Sequence, residues 1–183
     1  MGKSSQLIAA QSKRWLVDAL LSLMKEKPFN QITITEICKR ADLARRTFYR
    51  NFNSKEDILS LCIKEKVMDY IKCCKNITDF SLPNISRVYF NFWKENLNFA
   101  QVLKKNDLLF LLMQEYNRYL PYIHQEVLGD FVNFGGQNEL SYALLFSAGG
   151  FWNILSRWLD EGASKSSDEM AAMVQNILNN FRI

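Results

Sequence analysis

A single histidine, His124, stands in the 183 residues, so the side chain most used for proton transfer at neutral pH is all but missing. It lies on a helical stretch near tyrosines, with no Ser or Cys at nucleophile spacing. It reads as a polar residue, with ligand contact as the alternative. There is no glycine-rich phosphate loop, no cluster of metal ligands and no paired acidic motif. No cofactor and no metal is therefore expected, and an enzyme would need a constellation that only the fold brings together. The four cysteines, Cys38, Cys62, Cys73 and Cys74, have neither the density of a disulfide scaffold nor zinc-ligand spacing. Reduced thiols fit them; adjacent Cys73 and Cys74 read either as packing residues or as an oxidant sensor. No apolar run approaches the ~20 residues of a membrane span. The start, Met1-Gly2-Lys3, has no secretory apolar region, and Gln6 breaks the myristoylation pattern. The expected location is the cytoplasm. Strand-like alternation is missing as well, which points to an all-α chain.

With 48% apolar residues the chain has material for a sizeable core. Its formal charge of +4 conceals an asymmetry. Residues 1–53 hold ten Lys/Arg against four Asp/Glu, and residues 54–183 hold thirteen against fifteen. A basic end beside a near-neutral remainder fits a polyanion-binding domain, or merely a lysine-rich solvated surface.

Ile32 to Leu59 decides between those readings. Thr33 and Glu36 have the spacing of a capping box, opening a helix over 34–40 that buries Ile34, Ile37 and Cys38. Ala41-Asp42-Leu43 turns the chain, and a second helix follows over 45–51. Phe48 and Phe52, four apart, face inward. Arg45, Arg46, Thr47, Tyr49 and Arg50 remain outside, a set suited to phosphates and base edges. The pattern is a helix-turn-helix whose second helix is the recognition helix.

TITEICKRA, TFYRNF and SKEDIL in this order and spacing resemble the DNA-binding domain of the tetracycline-repressor-like (TetR) family. Two positions depart from the family pattern: Asp42 stands in the turn where Gly is usual, and Ala44 where a capping Ser is common. Asp tolerates the left-handed conformation such a turn needs better than most residues. Matching positions to the family supplements the reading of individual residues. Arg45, Arg46, Thr47 and Thr35 are candidates for base edges. Tyr49, Asn51, Lys55 and Thr33 are candidates for phosphates, Lys55 matching a lysine that TetR-like proteins place there.

Before this motif, Ser4 or Ser5 can cap a first helix reaching Lys25, with Leu7, Ile8, Trp15, Leu16, Ala19, Leu20, Leu23 and Met24 as its buried stripe. After it, Ser54 caps a long helix to about Cys74. Three segments follow: 1–53 for DNA binding, 54–75 as connecting helix and 76–183 for effector binding and dimerisation. In the last, helices are expected over 84–97, 99–104, 107–127, 137–161 and 167–182, with Gly135-Gly136 and Gly162 as interruptions. That gives about nine helices in all, a layout resembling the variable half of TetR-like proteins. In that family the last two long helices form a four-helix interface with a second subunit.

Seventeen Phe, Tyr and Trp residues fall between Phe80 and Trp158. They build a core, or some of them line an apolar effector cavity. Trp93, Asn96, Phe110, Met113, Tyr116, Tyr119, Phe146 and Asn153 are the candidate ligand contacts. Leu144, Ala148, Phe151, Leu155 and Trp158 form a stripe on the helix near 137–161, and Met170, Met173, Val174, Ile177, Leu178 and Phe181 one on the last. Ser147, Gly149 and Gly150 would let another helix approach closely. These stripes suit intrachain packing or a subunit interface. The expected function is transcriptional regulation by a homodimer on palindromic double-stranded DNA, as a repressor released by an unidentified small apolar effector. The alternative is a regulator or coactivator whose C-terminal half docks a protein.

Overall fold

The computed structural model describes residues 3–123 and 137–180, so His124, Gly135, Gly136 and Phe181 lie outside the described residues. Within them there are nine α-helices, one 3-10 turn and no strand, as the sequence implies.

Helix α1 (Lys3–Glu26) buries Leu16, Ala19, Leu20, Leu23 and Met24 against α2 (Ile34–Arg40) and α3 (Arg45–Asn51). Leu7, Ile8 and Trp15, expected in that stripe, are exposed at 70%, 60% and 47%. For Leu7 and Ile8 the reason is length. A 24-residue helix spans about 36 Å, and two 7-residue partners of about 10 Å each cover only its C-terminal half.

Helix α4 (Lys55–Cys74) starts at Ser54, whose hydroxyl accepts the Asp57 N–H while the Asp57 carboxylate takes the Ser54 N–H, a complete capping box. Its 20 residues, about 30 Å, run from the helix-turn-helix into the aromatic half. Ile58, Leu59, Cys62 and Ile63 pack at the first end, and Val67, Tyr70, Ile71 and Cys74 at the second.

Pro83 does not break the chain but opens α5 (Leu82–Glu95), because a first-turn residue has no intrahelical use for its N–H. Asn96 joins α5 directly to α6 (Leu97–Lys105). Asp107, at φ 57°, reverses the chain, and Leu108 N–H closes on Leu103 O at 2.9 Å. That turn delays α7 (Phe110–Ile123) by three residues relative to the expected start. Helix α8 (Gln137–Asp160) ends in Gly162 and Ala163, at φ 74° and 52°, before α9 (Ser167–Asn180) packs along α5. The Trp158 indole, fully buried, donates to Lys165 O at 3.2 Å and fixes this reversal.

One continuous apolar core links both ends of the molecule. A polar clamp reinforces the link at the end of α6. Asn106 Oδ1 accepts the Phe29 N–H at 2.7 Å, and its Nδ2 donates to Met24 O at 3.1 Å and Val102 O at 2.8 Å. Lys105 Nζ donates to Lys25 O at 2.6 Å. The carbonyls met here are orphans of the α1 C-terminus, which a helix end must satisfy somewhere.

Candidate nucleic-acid interface and effector cavity

The helix-turn-helix is held by local chemistry. Thr33 Oγ1 accepts the Glu36 N–H at 3.3 Å while Glu36 Oε2 takes the Thr33 N–H at 2.9 Å and hydroxyl at 2.8 Å. The Lys27 ammonium against Glu36, with the two Thr33 donors, holds that carboxyl at about 2, well below the usual range. Leu43 N–H bonds Cys38 O at 2.9 Å and Asp42 adopts φ 52°, the left-handed turn expected of it. Ala44 leaves α3 without a side-chain cap, also as expected. Phe48 is fully buried and Phe52 nearly so, their rings 6.2 Å apart; these two anchor the recognition helix.

Burying Phe48 leaves Arg45, Arg46, Tyr49 and Arg50 exposed, with Thr47 and Asn51 half-buried at the edges of that face. Arg45 Nη2 donates to the Tyr49 hydroxyl at 3.3 Å, and its guanidinium sits 5.9 Å from the ring centroid, so the pair braces itself one turn apart. Among the described residues Arg46 and Arg50 have no hydrogen-bond or ionic partner. Thr35 is exposed on α2, and the Thr33 hydroxyl serves the capping box. Asn51 Nδ2 donates to Thr47 O at 2.7 Å.

Lys55, a candidate for a phosphate, is engaged within the chain. Its Nζ donates to Phe29 O at 2.7 Å, Asn30 O at 3.2 Å and Ile32 O at 2.8 Å, and lies 4.7 Å from the Phe29 ring centroid. All three ammonium hydrogens close the 3-10 turn Phe29–Gln31. Arg40 is likewise engaged, bidentate to Glu26 at 2.8 Å and on Ser22 at 2.6 Å. The basic charge counted in the sequence thus divides into internally paired cations and the open arginines of α3.

In the C-terminal half, α4, α5, α7 and α8 line a partly open cavity of about 280 Å³. Trp93, Met113 and Tyr116 line it, as expected. Five other candidates do not. Phe110 and Phe146 are exposed at 45% and 78%, because their positions on α7 and α8 face away from the neighbouring helices. Asn153 is exposed, its Nδ2 on Gly149 O at 2.8 Å. Asn96 accepts from Lys66 Nζ at 2.9 Å at the α5–α6 junction, and Tyr119 packs on the core beside the cavity rather than in its wall. Instead Tyr70, Tyr89, Phe151 and Trp152 complete the wall. Tyr70 meets Tyr89 edge-on at 5.6 Å and Tyr116 at 5.8 Å, and Tyr89 meets Phe151 at 5.1 Å. Burial pushes all three tyrosine hydroxyls above their usual range, so they stay neutral.

The family model for bacterial regulatory proteins of the tetR family matches residues 16–62, from the covered part of α1 to the first turns of α4. Residues 16–62, the part that carries the helix-turn-helix, are those of a TetR-type DNA-binding domain. It is 35% identical over 57 residues to the fatty acid metabolism regulator protein of Bacillus subtilis (strain 168), which is 31% of this chain and 29% of that one. It is 27% identical over 109 residues to the dhaKLM operon transcriptional activator DhaS of Lactococcus lactis subsp. lactis (strain IL1403), 58% of this chain and 57% of that one. These matches span under two thirds of the relatives' lengths. A crystal structure of the transcriptional regulator FadR from Bacillus subtilis in complex with stearoyl-CoA superposes with a TM-score of 0.66 at 20% identity, covering 90% of this chain and 96% of that one. At that identity the likeness is one of fold.

The cavity residues missed by the sequence carry a signal after all. Tyr70 lies on the same α4 face as Val67, Ile71 and Cys74, and Tyr89 is one turn before Trp93 on α5. Helical spacing from Trp93 finds the wall; choosing aromatic residues by type does not. The buried thiols of Cys38, Cys62 and Cys74 fit a packing role, whereas Cys73 is exposed. Burial pushes Cys62 up to about 12 and Cys74 up to about 11, and Cys73 also lies above its usual range. Such thiols carry little of the thiolate that reacts. Among the described residues Gly149 and Gly150 receive no neighbouring helix: a Cβ at either would meet nothing within 4 Å.

Proposed function

We propose that this chain is a homodimeric transcriptional repressor of the TetR family whose grip on a palindromic operator is released by a small apolar effector. The observation that carries the reading is the double role of α4. Its N-terminus is built into the helix-turn-helix through Ser54, Lys55 and Ile58, and its C-terminal turns supply Val67, Tyr70 and Cys74 to the cavity wall. A tilt imposed at the cavity end of a helix about 30 Å long displaces the recognition helices, whose two copies must meet successive major grooves together. A second connection runs from α8 through Lys104, bound to Ser156 at 2.7 Å and Asp160 at 3.1 Å, along α6 to the Asn106 clamp on α1.

Dimerisation is supported by the surface left on the last two helices. Tyr142, Leu145 and Phe146 on α8 and Met173, Ile177 and Leu178 on α9 are exposed, and the uncrowded Gly149 and Gly150 leave room beside them. The domain division at 53 and 75 follows the same logic, α4 being shared by both parts. The alternative, a regulator or coactivator that docks a protein partner, gains some weight from the resemblance to DhaS, which is named as an activator. An apolar cavity favours the effector reading, because a protein-docking bundle has no use for one.

The test begins by isolating genomic fragments bound by the purified protein. Operator affinity is then measured across a panel of small apolar compounds. The reading requires a compound that binds the cavity and weakens DNA binding, and linkage requires DNA to weaken that compound by the same factor. A compound held tightly with operator affinity unchanged rules the switch out.

A further inference from the structure

We infer that the cavity selects a neutral, largely apolar molecule of about a dozen heavy atoms bearing one hydrogen-bond acceptor, and that the Trp93 indole N–H is the group that recognises the acceptor. The inference deepens the proposed effector reading and rests on it.

Three observations carry it. The first is size. A dry cavity of about 150 Å³ holds benzene; one of about 280 Å³ admits roughly twice that, a fused two-ring compound rather than a long acyl chain. The second is charge. Among the described residues no Asp, Glu, Lys, Arg or His lines the cavity, and its tyrosines remain neutral. A carboxylate or ammonium would therefore be buried without a counter-charge, which costs far more than burying a neutral polar group.

The third observation identifies the recognising atom. Trp93 is 5% exposed and lines the cavity, and its Nε1–H has no hydrogen-bond partner among the described residues. An indole can only donate, so a ligand that meets it must accept. Tyr89, one turn away with ring centroids 6.3 Å apart, is the nearest protein candidate. Its hydroxyl stands near enough for the indole to favour its ionised form, yet the geometry does not close a hydrogen bond, and the hydroxyl is turned to Phe151 O at 3.5 Å. The Tyr70 hydroxyl lies close to the Cys74 thiol. A buried donor left without a partner is unfavourable. A ligand carbonyl or ether oxygen placed there relieves it, whereas a pure hydrocarbon leaves it unmet.

The experiment uses the full-length protein with tetralin, 1-tetralone, 1-naphthoate and stearoyl-CoA, read by calorimetry and by the Trp93 indole N–H resonance in 15N NMR spectra. The expected result is that 1-tetralone binds about ten-fold or more tightly than tetralin and moves the Trp93 resonance downfield, while 1-naphthoate binds more weakly than either. In Trp93→Phe the preference for the ketone over the hydrocarbon should disappear, and far-ultraviolet circular dichroism with thermal unfolding shows whether the variant is folded. The spectra of the unaltered protein stand on their own if it is not. Equal affinity for ketone and hydrocarbon, a ketone preference with an unmoved Trp93 resonance, naphthoate as the tightest small ligand, or stearoyl-CoA binding above all three each overturns the inference. So does no binding at millimolar concentration. Operator affinity measured alongside separates the two levels: tight ketone binding that leaves DNA affinity unchanged upholds the ligand class and removes the switch.

Discussion

The helix-turn-helix and the cavity are made by opposite means. Around α2 and α3 the chain is held by backbone caps and short polar bridges: the Thr33–Glu36 box, the Leu43–Cys38 bond, Arg45 on Tyr49 and Lys55 on the 3-10 turn. None of these joins residues more than 26 apart. The cavity draws on residues from Val67 to Trp152, and what holds its wall together is ring against ring. Polar bridges impose geometry with little tolerance, which suits a surface that must match a DNA groove. Apolar contacts tolerate displacement, which suits a wall that must move when occupied. The two regions meet along α4 and at Asn106, where rigid and deformable parts are tied together.

The sharpest break of this contrast removes the most deeply buried aromatic anchor of the rigid part. Phe48→Ala should destabilise by about 3–5 kcal/mol, the range for truncating a fully buried Phe. Hydrogen exchange should then show α2 and α3 opening while amides of α5 and α7 stay protected. Next comes the surface that Phe48 supports. Arg46→Ala should relax base preference by about 1–3 kcal/mol if its contact is bidentate, measured by fluorescence anisotropy on operator variants. Arg45→Ala should behave similarly and also free Tyr49.

At the junction, Asn106→Ala leaves the Phe29 N–H and the Met24 carbonyl without their partner. A loss of about 1–3 kcal/mol in thermal or denaturant unfolding is expected, together with a smaller effector-induced change in operator affinity. Unchanged coupling in a folded variant would confine transmission to α4. Lys55→Met sharpens the contrast further. If the ammonium closes the 3-10 turn, stability falls by about 1 kcal/mol and the salt dependence of DNA binding is kept. If it meets a phosphate, the slope of log K against log salt falls by about one.

The difference in construction also governs what the sequence discloses. Capping boxes, the Asp42 turn and the Phe48–Phe52 spacing are relations between near neighbours, and the helices they set were legible to the residue. So was the helix order of the C-terminal half, within a few residues. The direction of each aromatic side chain was not, since Phe146 and Phe151 differ in burial through what α4, α5 and α7 place beside α8. Net charge had the same defect. Ten basic residues precede Ser54, but only tertiary contact reveals that Arg40 and Lys27 are matched by Glu26 and Glu36. For Lys55 the sequence places the ammonium at the start of α4, but only the fold brings it to the carbonyls of Phe29, Asn30 and Ile32.

The smallest effect concerns acid, and it separates the two regions without any substitution. Glu36 titrates near 2 in the folded chain because Lys27 and Thr33 stabilise its charged form, against 4.5 for an unperturbed glutamate. A carboxylate with a depressed folded pKa adds stability that is fully present above its unfolded value and is lost as pH falls through the folded one. Glu26, held down by Arg40, and Asp57, held down by the Asn53 and Ser54 N–H groups, act in the same direction. All three belong to the helix-turn-helix or its junction with α4. Among the described residues the cavity wall has no carboxylate, and its tyrosines stay neutral throughout this range. Between pH 5 and pH 2 the Thr33 and Ser54 amides should therefore lose protection from exchange as their carboxylate acceptors protonate. Binding of a neutral ketone should change little until the whole fold gives way. Because these carboxylates are exposed, the loss should be graded and should shrink in high salt, where surface pairs are already screened. Ligand affinity falling in step with Thr33 amide protection would show that the two regions are not separable in this way.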